Sequence, residues 1–271
     1  MDRFIAVVII ICLSIMMLPY GSLCVISSGA LRSAYQMLFA WETRSWNALE
    51  GDHYIIKYQN GDQENARVTL QEAERLYEPI GEYFGCFPEK RVPVAIYRNK
   101  SALNRVFGWD SDINAMGVYW GGVIRLLSPD DWLDEFSRAA RDGPIAHEYI
   151  HLLVDYKTRG NYPRWLTEGL AQYGEKHCTG MVAVTASAEE RPALSISLED
   201  LDKKFDDPEW QDYCYTVSEE MVEFMISNYG ADSIPLLLEE LGRGKGVDSA
   251  FHKVLGVNLR DFINEYHTEK T

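Results

Sequence analysis

The chain has 271 residues, of which 46% are apolar and 25% are charged, and its formal net charge is -15 at pH 7. This composition is typical of a globular protein, and the length is sufficient for one large domain or two small lobes. The acidity argues against nucleic acid as a partner. An acidic surface repels phosphate backbones, and no cluster of lysine and arginine interrupts it.

The N-terminus is strongly apolar, with no charged residue from Phe4 to Ile26. A membrane-spanning helix needs about 20 apolar residues, which this run provides. Ser28-Gly29-Ala30 also offers the small residues of a signal-peptide cleavage site. We therefore expect residues 1–30 to be a membrane anchor, with a cleaved secretory signal as the alternative. The remaining chain is then membrane-anchored outside the cytoplasm, or secreted if the segment is cleaved.

Three cysteines lie beyond this segment, at Cys86, Cys178 and Cys214. Their number is odd and no CxxC spacing occurs, so they indicate neither a zinc–thiolate site nor a dense disulfide framework. One disulfide with a remaining thiol and three buried thiols both stay open.

The middle of the chain predicts strands and the C-terminal part predicts helices. Residues 31–50 are expected to be an amphipathic or irregular connector. After them, apolar periodicity and turn residues predict a strand at 53–58, a helix at 64–84, a strand at 92–97, a short helix at 101–107 and a hairpin of 115–120 with 123–127 joined at Gly121-Gly122. Helices follow at roughly 129–141, 144–157, 163–177, 215–229, 234–242, 247–255 and 259–268. Strands followed by helices are typical of an α+β fold.

The stretch from Asp142 to His151 carries the chemistry. Asp142 and Pro144 are typical of a helix start. His147 and His151 are four residues apart, so they share one helical face and can bind one zinc ion, each about 2.0–2.1 Å from it. Glu148 is turned about 100° around the helix, where it can reach a zinc-bound water without occupying a coordination position.

A catalytic zinc site needs a third protein ligand and leaves the fourth position to water. Glu168 lies in a second predicted helix, and the turn residues between the two helices allow that helix to fold back beside the first. Gly169 leaves space for the approach. We therefore predict one Zn²⁺ per chain, bound by His147, His151 and Glu168.

These residues carry a resemblance to a known family. His147–His151 together with the segment Trp165–Ala171 resembles the gluzincin zinc peptidases and, more narrowly, the peptidase MA-like domain proteins, over roughly residues 51–268. The resemblance implies a zincin-like domain at 51–271. In this fold an N-terminal mixed β-sheet lobe with helices precedes a mainly helical C-terminal lobe, and the active-site helix lies between them. It also implies the zinc ligands already predicted, with Glu148 as general base.

The sequence departs from related families at two places, which concern recognition of the substrate amine and the partner of a histidine. Gluzincin aminopeptidases carry a Gly-Ala-Met-Glu-Asn strand that binds the substrate's free amine, whereas this chain has Asn114-Ala115-Met116-Gly117, without an acidic residue. Endopeptidase action is therefore favoured, with an aminopeptidase-type gluzincin as the alternative. Thermolysin-like enzymes place an aspartate four residues after the ligand glutamate. Gln172 occupies that position here and is expected to accept an imidazole N–H more weakly.

Supporting roles are predicted for other residues. Asp155 lies one further turn along the histidine face, where it is expected to fix a ligand's tautomer or an adjacent helix. Tyr215 occupies a place where gluzincins often present a phenol to the developing oxyanion, so it is a candidate catalytic residue. The strand at 116–120 is the predicted edge along which an extended substrate pairs.

The predicted function is that of a zinc metallopeptidase, a hydrolase that acts on peptide or protein substrates. Glu148 takes a proton from the zinc-bound water as it attacks the peptide carbonyl. The alternative from another class is an inactive binding module stabilised by zinc. Glu148 argues against that alternative, because a purely structural zinc site has no need of this carboxylate.

Overall fold

The computed structural model describes residues 20–109, 115–131, 143–179 and 198–270. Its first part contains the elements α1 (Tyr20–Glu42), β1 (Asn47–Glu50), β2 (Tyr54–Tyr58), α2 (Gln63–Phe84), β3 (Val92–Tyr97), α3 (Lys100–Phe107), β4 (Gly117–Trp120), β5 (Val123–Leu127) and a 3₁₀ turn at Pro129–Asp131. Its second part is helical where described, with α4 (Gly143–Thr158), α5 (Arg164–Thr179), α6 (Leu198–Lys204), α7 (Gln211–Tyr229), α8 (Ser233–Gly242), α9 (Val247–Leu255) and α10 (Leu259–Lys270). This order confirms the predicted α+β class.

The described strands form one mixed sheet in the order β1-β2-β3-β5-β4. Strands β2, β3 and β5 are parallel, whereas the outer strands β1 and β4 pair antiparallel with β2 and β5. Parallel neighbours need a crossover connection, which α2 supplies between β2 and β3. Strand β4 is last in the strand order and is therefore an edge of the sheet. It contacts helix α4.

Both faces of the sheet are covered, so its central strands are apolar at consecutive positions rather than at alternate ones. In β3, Val94 and Ile96 belong to the large core that the sheet shares with the helices. Ala95 and Tyr97 belong instead to a smaller cluster, which Phe39 of α1 also joins. Helix α1 therefore helps to cover the second face of the sheet.

Residues 31–50, expected to be an amphipathic or irregular connector, are part of the fold. They continue α1 to Glu42 and then form β1. Strand β1 pairs with β2 along its four residues, but three of the four are exposed. A strand with one partly buried position leaves no alternating pattern, which explains why periodicity missed it.

The β4–β5 hairpin closes at Gly121-Gly122 as predicted, although β4 begins at Gly117 rather than at residue 115. The φ angles of Gly121 and Gly122 are 58° and 80°. A two-residue type I′ turn needs positive φ at both central positions, which glycine adopts without steric cost. Trp120 pairs directly with Val123 next to this turn.

Most of the other predicted elements agree with the structure within a few residues at each end. The helix predicted at 129–141 is described only at its start, as the 3₁₀ turn, and the rest lies outside the described residues together with Asp142. Helix α6 was not predicted, because its seven residues include only two apolar ones. Cys86, Cys178 and Cys214 are free thiols, and Cys214 is buried.

The N-terminal segment is described only in part. Residues 1–19 of the predicted anchor or signal lie outside the described residues, and the part from Tyr20 onward begins α1. Among the helices of the described ranges, none combines the length and the apolar character required to cross a bilayer.

Helix α4 lies between the sheet and the C-terminal helices. It contacts β4, β5 and α2, and it also contacts α5 and α8. Its buried apolar residues are spread over several sides of the helix and include Ile145, Ala146, Ile150, Leu152 and Leu153. Polar side chains on such a helix are costly to desolvate unless they have partners. The polar residues of α4 are therefore candidates for a functional site.

Helix α5 returns beside α4 and also packs against α7. Gly169 lies where α5 meets α7, and a Cβ atom added at this position would lie 2.2 Å from the backbone oxygen of Ser218. Because non-bonded carbon and oxygen atoms cannot approach so closely, only glycine permits this spacing of the helices. Glu168 directly precedes Gly169, so the distance between α5 and α7 also affects the position of this predicted zinc ligand.

We predict that Gly169→Ala destabilises the domain by about 1–3 kcal/mol, because the added methyl group forces α5 and α7 apart. Urea unfolding followed by circular dichroism measures this change. Gly29→Ala is the control, since its Cβ would have no atom within 4 Å. Because alanine in a helix is favoured over glycine by about 1 kcal/mol, the control Gly29→Ala should not be destabilising. Equal unfolding midpoints for Gly169→Ala and the wild type would contradict the close contact.

Candidate metal centre

Helix α4 presents His147 and His151 on one face, as their four-residue spacing predicts. Their ring centroids are 4.7 Å apart and the ring planes meet at 80°. Only 14% and 12% of the two side-chain surfaces are exposed. The imidazoles are thus largely shielded from water but can still be reached from the surface.

Helix α5 adds Glu168 to this pair. Its Oε2 atom lies 3.6 Å from Nε2 of His147 and 3.4 Å from Nε2 of His151. One ligand atom from each of the three side chains lies within 4.8 Å of the others. Over the described ranges, no second group of three or more histidine, cysteine, aspartate or glutamate side chains converges in this way. The structure therefore brings together the three ligands predicted from the sequence.

The start of α5 is fixed by Asp202 of α6. The Asp202 carboxylate accepts the backbone N–H groups of Arg164 at 3.2 Å and Trp165 at 2.8 Å. A carboxylate at a helix N-terminus satisfies N–H groups that have no partner within the helix and interacts favourably with the helix dipole. Because Trp165 is also buried, the first turn of α5 is held firmly just before Glu168.

The second nitrogen of each imidazole also has a partner. Nδ1 of His151 lies 2.7 Å from the hydroxyl oxygen of Thr167, and Nδ1 of His147 lies 3.1 Å from Oε2 of Glu175. Gln172 was the expected acceptor, so that prediction is wrong. Thr167 adjoins the ligand Glu168, and Glu175 lies two turns further along the same helical face. This periodicity was the sequence signal that could have identified Glu175.

The arrangement fits a zinc ion. Ligand atoms that lie about 2.0–2.1 Å from a tetrahedral zinc ion are roughly 3.3–3.4 Å from one another. The separations of 3.4 and 3.6 Å from Glu168 Oε2 to the two Nε2 atoms are close to this value. Hydrogen bonds at Nδ1 leave both Nε2 atoms directed at Glu168, which is how outer partners orient metal-binding imidazoles. His147, His151 and Glu168 are therefore close enough to bind one metal ion, and two imidazoles with one carboxylate suit zinc.

The histidines and carboxylates of the site stabilise one another's charged forms. Burial opposes protonation of His147, but its hydrogen bonds with Glu168 and Glu175 outweigh burial and raise the pKa of this imidazole well above its usual value. Burial likewise opposes ionisation of Glu168. The charge of His151 and the hydrogen bonds of both histidines outweigh that effect and lower the pKa of the Glu168 carboxyl. Glu168 is consequently an anionic group at neutral pH that attracts positive charge to the site.

Arg164 contacts the oxygen of Glu168 other than the one that approaches the histidines. Its Nε atom lies 3.7 Å from Oε1 of Glu168, whereas Oε2 is the oxygen nearest the imidazoles. Its two terminal nitrogens each donate to a carboxylate oxygen of Asp206 at 2.9 Å. Sequence reasoning assigned Arg164 no role, although its position one turn before Glu168 is the spacing at which helical side chains meet.

Glu148 occupies the side of α4 that faces the edge strand. It is 6% exposed, and burial raises the pKa of its carboxyl. The backbone N–H of Tyr119 donates a hydrogen bond to this carboxylate. A Cβ atom at Gly117 would lie 2.8 Å from Cγ of Glu148, so the strand passes against the side chain with no intervening space. Glu148 is therefore packed beside the ligands and is not one of the three converging side chains.

Tyr215 lies near the start of α7, with its ring edge-on to Phe205 at a centroid distance of 5.2 Å. Burial raises the pKa of its phenol, and the negative charges of Glu168 and Glu148 raise it further. The phenol is thus neutral, able to donate a hydrogen bond, and within electrostatic reach of both carboxylates. Its assignment as a catalytic residue stays a prediction.

Asp155 fulfils the second of its two expected roles. Its Oδ2 atom accepts hydrogen bonds from the Tyr119 hydroxyl at 2.5 Å and from Arg32 at 2.9 Å. Arg32 belongs to α1, so Asp155 fixes an adjacent helix. It does not set the tautomer of a histidine, since both Nδ1 atoms have other partners.

Comparisons with known proteins identify a family and a fold. A family model described as the Peptidase MA superfamily matches residues 82–269. A search of the curated proteins gave no match. Among solved structures, the chain is similar to a mutant of an M1 zinc metallopeptidase from Deinococcus radiodurans, with 15% identity and a TM-score of 0.51, over 81% of this chain and 50% of that one.

A mutant of a two-domain M1 zinc metallopeptidase bound to L-arginine gives 12% identity and a TM-score of 0.47, over 82% of this chain and 51% of that one. The chain thus spans about half the length of these two proteins. The first likeness shows a zincin-type metallopeptidase fold, as predicted. Because the family model matches more than half of the chain and includes His147, Glu148, His151 and Glu168, this protein belongs to the Peptidase MA superfamily.

Proposed function

We propose that this protein is a zinc-dependent metallopeptidase that hydrolyses peptide bonds. The observation that carries the proposal is the convergence of His147, His151 and Glu168 beside the buried carboxylate of Glu148. A structural zinc site usually closes with a fourth protein ligand, and it has no use for an adjacent base. The arrangement therefore supports catalysis over the alternative of an inactive binding module.

The mechanism assigns a separate task to each side chain. When zinc is bound, it polarises the substrate carbonyl and lowers the pKa of a water molecule toward about 7. Glu148 takes the proton of the attacking water and returns it to the leaving amine. The Tyr119 N–H and the contact with Gly117 hold the Glu148 carboxylate in place during both transfers. We assign the Tyr215 phenol to donate a hydrogen bond to the developing oxyanion.

The edge strand β4 supplies the surface for an extended peptide. The Leu127 N–H donates to the Met116 carbonyl, and Trp120 pairs directly with Val123. Hydrogen-bonded positions alternate along an antiparallel strand, so the backbone groups of Gly117 and Tyr119 point away from β5. The Tyr119 N–H donates to Glu148, and the backbone groups of Gly117 with the Tyr119 carbonyl face the open edge. A substrate strand can pair with such an edge by β-augmentation. We propose that peptide substrates bind along β4, past Glu148.

Endopeptidase action is favoured over removal of N-terminal residues. The amine-binding glutamate of gluzincin aminopeptidases has no counterpart in Ala115-Met116-Gly117. A buried α-amino group without an anionic partner is costly, whereas an internal peptide bond carries no such charge. The substrate is therefore proposed to be an internal segment of a polypeptide.

We predict that His151→Ala removes nearly all bound zinc, because two remaining ligands cannot complete the site. Glu175→Gln changes only the partner of His147 Nδ1, so zinc affinity is expected to fall by about 10–100-fold while binding persists. Metal content by mass spectrometry, together with competition against a chromophoric chelator, measures both effects.

The matched control for these two variants is His177→Ala. His177 is exposed, and its Nδ1 lies 2.7 Å from the carbonyl oxygen of Tyr173 in its own helix. This variant is expected to bind zinc like the wild type. Stoichiometric zinc in purified His151→Ala would show that the ligand assignment is wrong.

We predict that Glu148→Gln keeps the zinc and the fold but lowers kcat by about 10²–10⁴-fold, because the amide cannot take a proton. The assay is hydrolysis of an unfolded protein before chelation, after chelation and after zinc is restored. Glu78→Gln, at an exposed position of α2, is the control. Turnover near the wild-type rate in zinc-loaded Glu148→Gln would leave the mechanism without its base.

We also propose that the apolar segment from Phe4 to Ile26 takes the catalytic domain across a membrane and tethers it there. Transfer of about 20 apolar residues from water into lipid is strongly favourable. We predict that the full chain sediments with membranes and is degraded by protease added outside intact cells or spheroplasts. Full-length chain in the soluble cytosol would contradict both the anchor and the export. A released form that begins near Leu31 would identify a cleaved signal instead.

A further inference from the structure

Helix α1 reaches the active-site helix through Arg32. One guanidinium nitrogen of Arg32 donates to the carboxylate of Asp155 at 2.9 Å and to its backbone carbonyl at 3.2 Å. The guanidinium carbon also lies 4.5 Å from the ring centroid of Tyr156. The ion pair is largely buried, with 19% of the Arg32 side chain and 13% of the Asp155 side chain exposed. It is thus shielded from the solvent that weakens surface ion pairs.

Asp155 connects this arginine to the edge strand. The same Oδ2 atom that binds Arg32 accepts a hydrogen bond from the Tyr119 hydroxyl at 2.5 Å. The Tyr119 oxygen in turn accepts the backbone N–H of Gly122 at 3.1 Å. Burial and the Asp155 charge raise the pKa of the Tyr119 phenol well above its usual value, so the phenol remains a donor at neutral pH. One side chain therefore binds both the hairpin turn and helix α4.

Tyr119 extends the connection to the proposed base. Its backbone N–H donates to the Glu148 carboxylate. The strand cannot move closer to α4, because Gly117 already leaves no space for a Cβ atom beside Glu148. The hydroxyl bond from Tyr119 to Asp155 prevents the strand from moving away. A displacement of β4 would change both the orientation of Glu148 and the edge on which the substrate lies.

We propose that Arg32, Asp155 and Tyr119 are positioning residues that hold β4 against α4 and thereby align Glu148 for hydrolysis. This inference rests on the proposed peptidase function. It makes α1, the helix that continues from the apolar N-terminal segment, part of the catalytic apparatus. Hydrolysis then depends on the contact of Asp155, one turn beyond His151 on α4, with Arg32 of α1.

Tyr119→Phe is the first test, because it removes the hydroxyl's hydrogen bonds with Asp155 and Gly122 but leaves the Arg32–Asp155 ion pair intact. We expect kcat to fall by about tenfold, with bound zinc unchanged, since outer partners of catalytic groups typically contribute 10–100-fold. Arg32→Ala should have a similar effect, and Arg32→Lys should restore most of kcat, because a single nitrogen of Arg32 makes both bonds to Asp155.

The double variant Arg32→Ala/Asp155→Ala separates positioning from stability. Removal of both charges leaves no unpaired buried ion, so the unfolding midpoint should recover relative to Arg32→Ala. The Tyr119 hydroxyl has lost its acceptor Asp155 in this double variant, so kcat should stay low. Recovery of kcat together with stability would overturn the proposal in favour of a purely structural ion pair.

A readout that does not require hydrolysis keeps the inference separate from the proposed function. Amide hydrogen exchange at position 119 should be faster in Tyr119→Phe and in Arg32→Ala than in the wild type. Exchange at Gly122 is compared only in Arg32→Ala, because Tyr119→Phe itself removes the acceptor of the Gly122 N–H. Tyr229→Phe is the matched control, because it removes a phenol–carboxylate hydrogen bond to Glu265 on α10. Unchanged exchange, or an unchanged kcat in both variants, would overturn the positioning role. A wild-type protein without peptidase activity but with the expected exchange would refute the function alone.

Discussion

The close approach of three electron-rich atoms governs this structure: the Nε2 atoms of His147 and His151 and one oxygen of Glu168. When both Nε2 atoms carry no proton, as metal binding requires, lone pairs this close repel one another in a poorly solvated site unless a cation lies among them. Since the atoms come from two helices, the distance between α4 and α5 must be held constant. Gly169 permits the spacing, and the cap by Asp202 fixes the start of α5. Packing thus keeps the ligands together, and a cation removes the repulsion.

The mixed sheet contributes its edge to this site. A two-residue hairpin places β4 at the end of the sheet, where half of its backbone groups have no partner strand. Such an edge is a liability in most proteins because it can recruit another chain. Here the Glu148 carboxylate accepts the Tyr119 N–H at this edge, and Gly117 allows α4 to lie against the strand. The same exposed edge therefore serves as a proposed substrate surface beside the proposed base.

Helix α1 contacts both the sheet and helix α4, although the sequence predicts residues 31–50 to be a connector outside the domain. Phe39 helps to cover the second face of the sheet, whereas Arg32 pairs with Asp155 on helix α4, which carries His147 and His151. A helix with both contacts belongs to the same domain as the sheet and α4, even though it continues from the apolar N-terminal segment. The proposed attachment at the N-terminus and the geometry of the metal site are consequently connected through one largely buried ion pair.

The sequence by itself determined the local features. Periodicity predicted most helices, and the spacing of His147 and His151 placed them on one face, because relations across one helical turn follow from backbone geometry alone. Only the tertiary structure decided the partners of these groups. It selected Glu175 instead of Gln172 as the acceptor for His147, and it joined Asp155 to Arg32 across 123 positions of the chain. Such contacts depend on how elements pack, and packing reflects the shapes of surfaces that are distant in sequence.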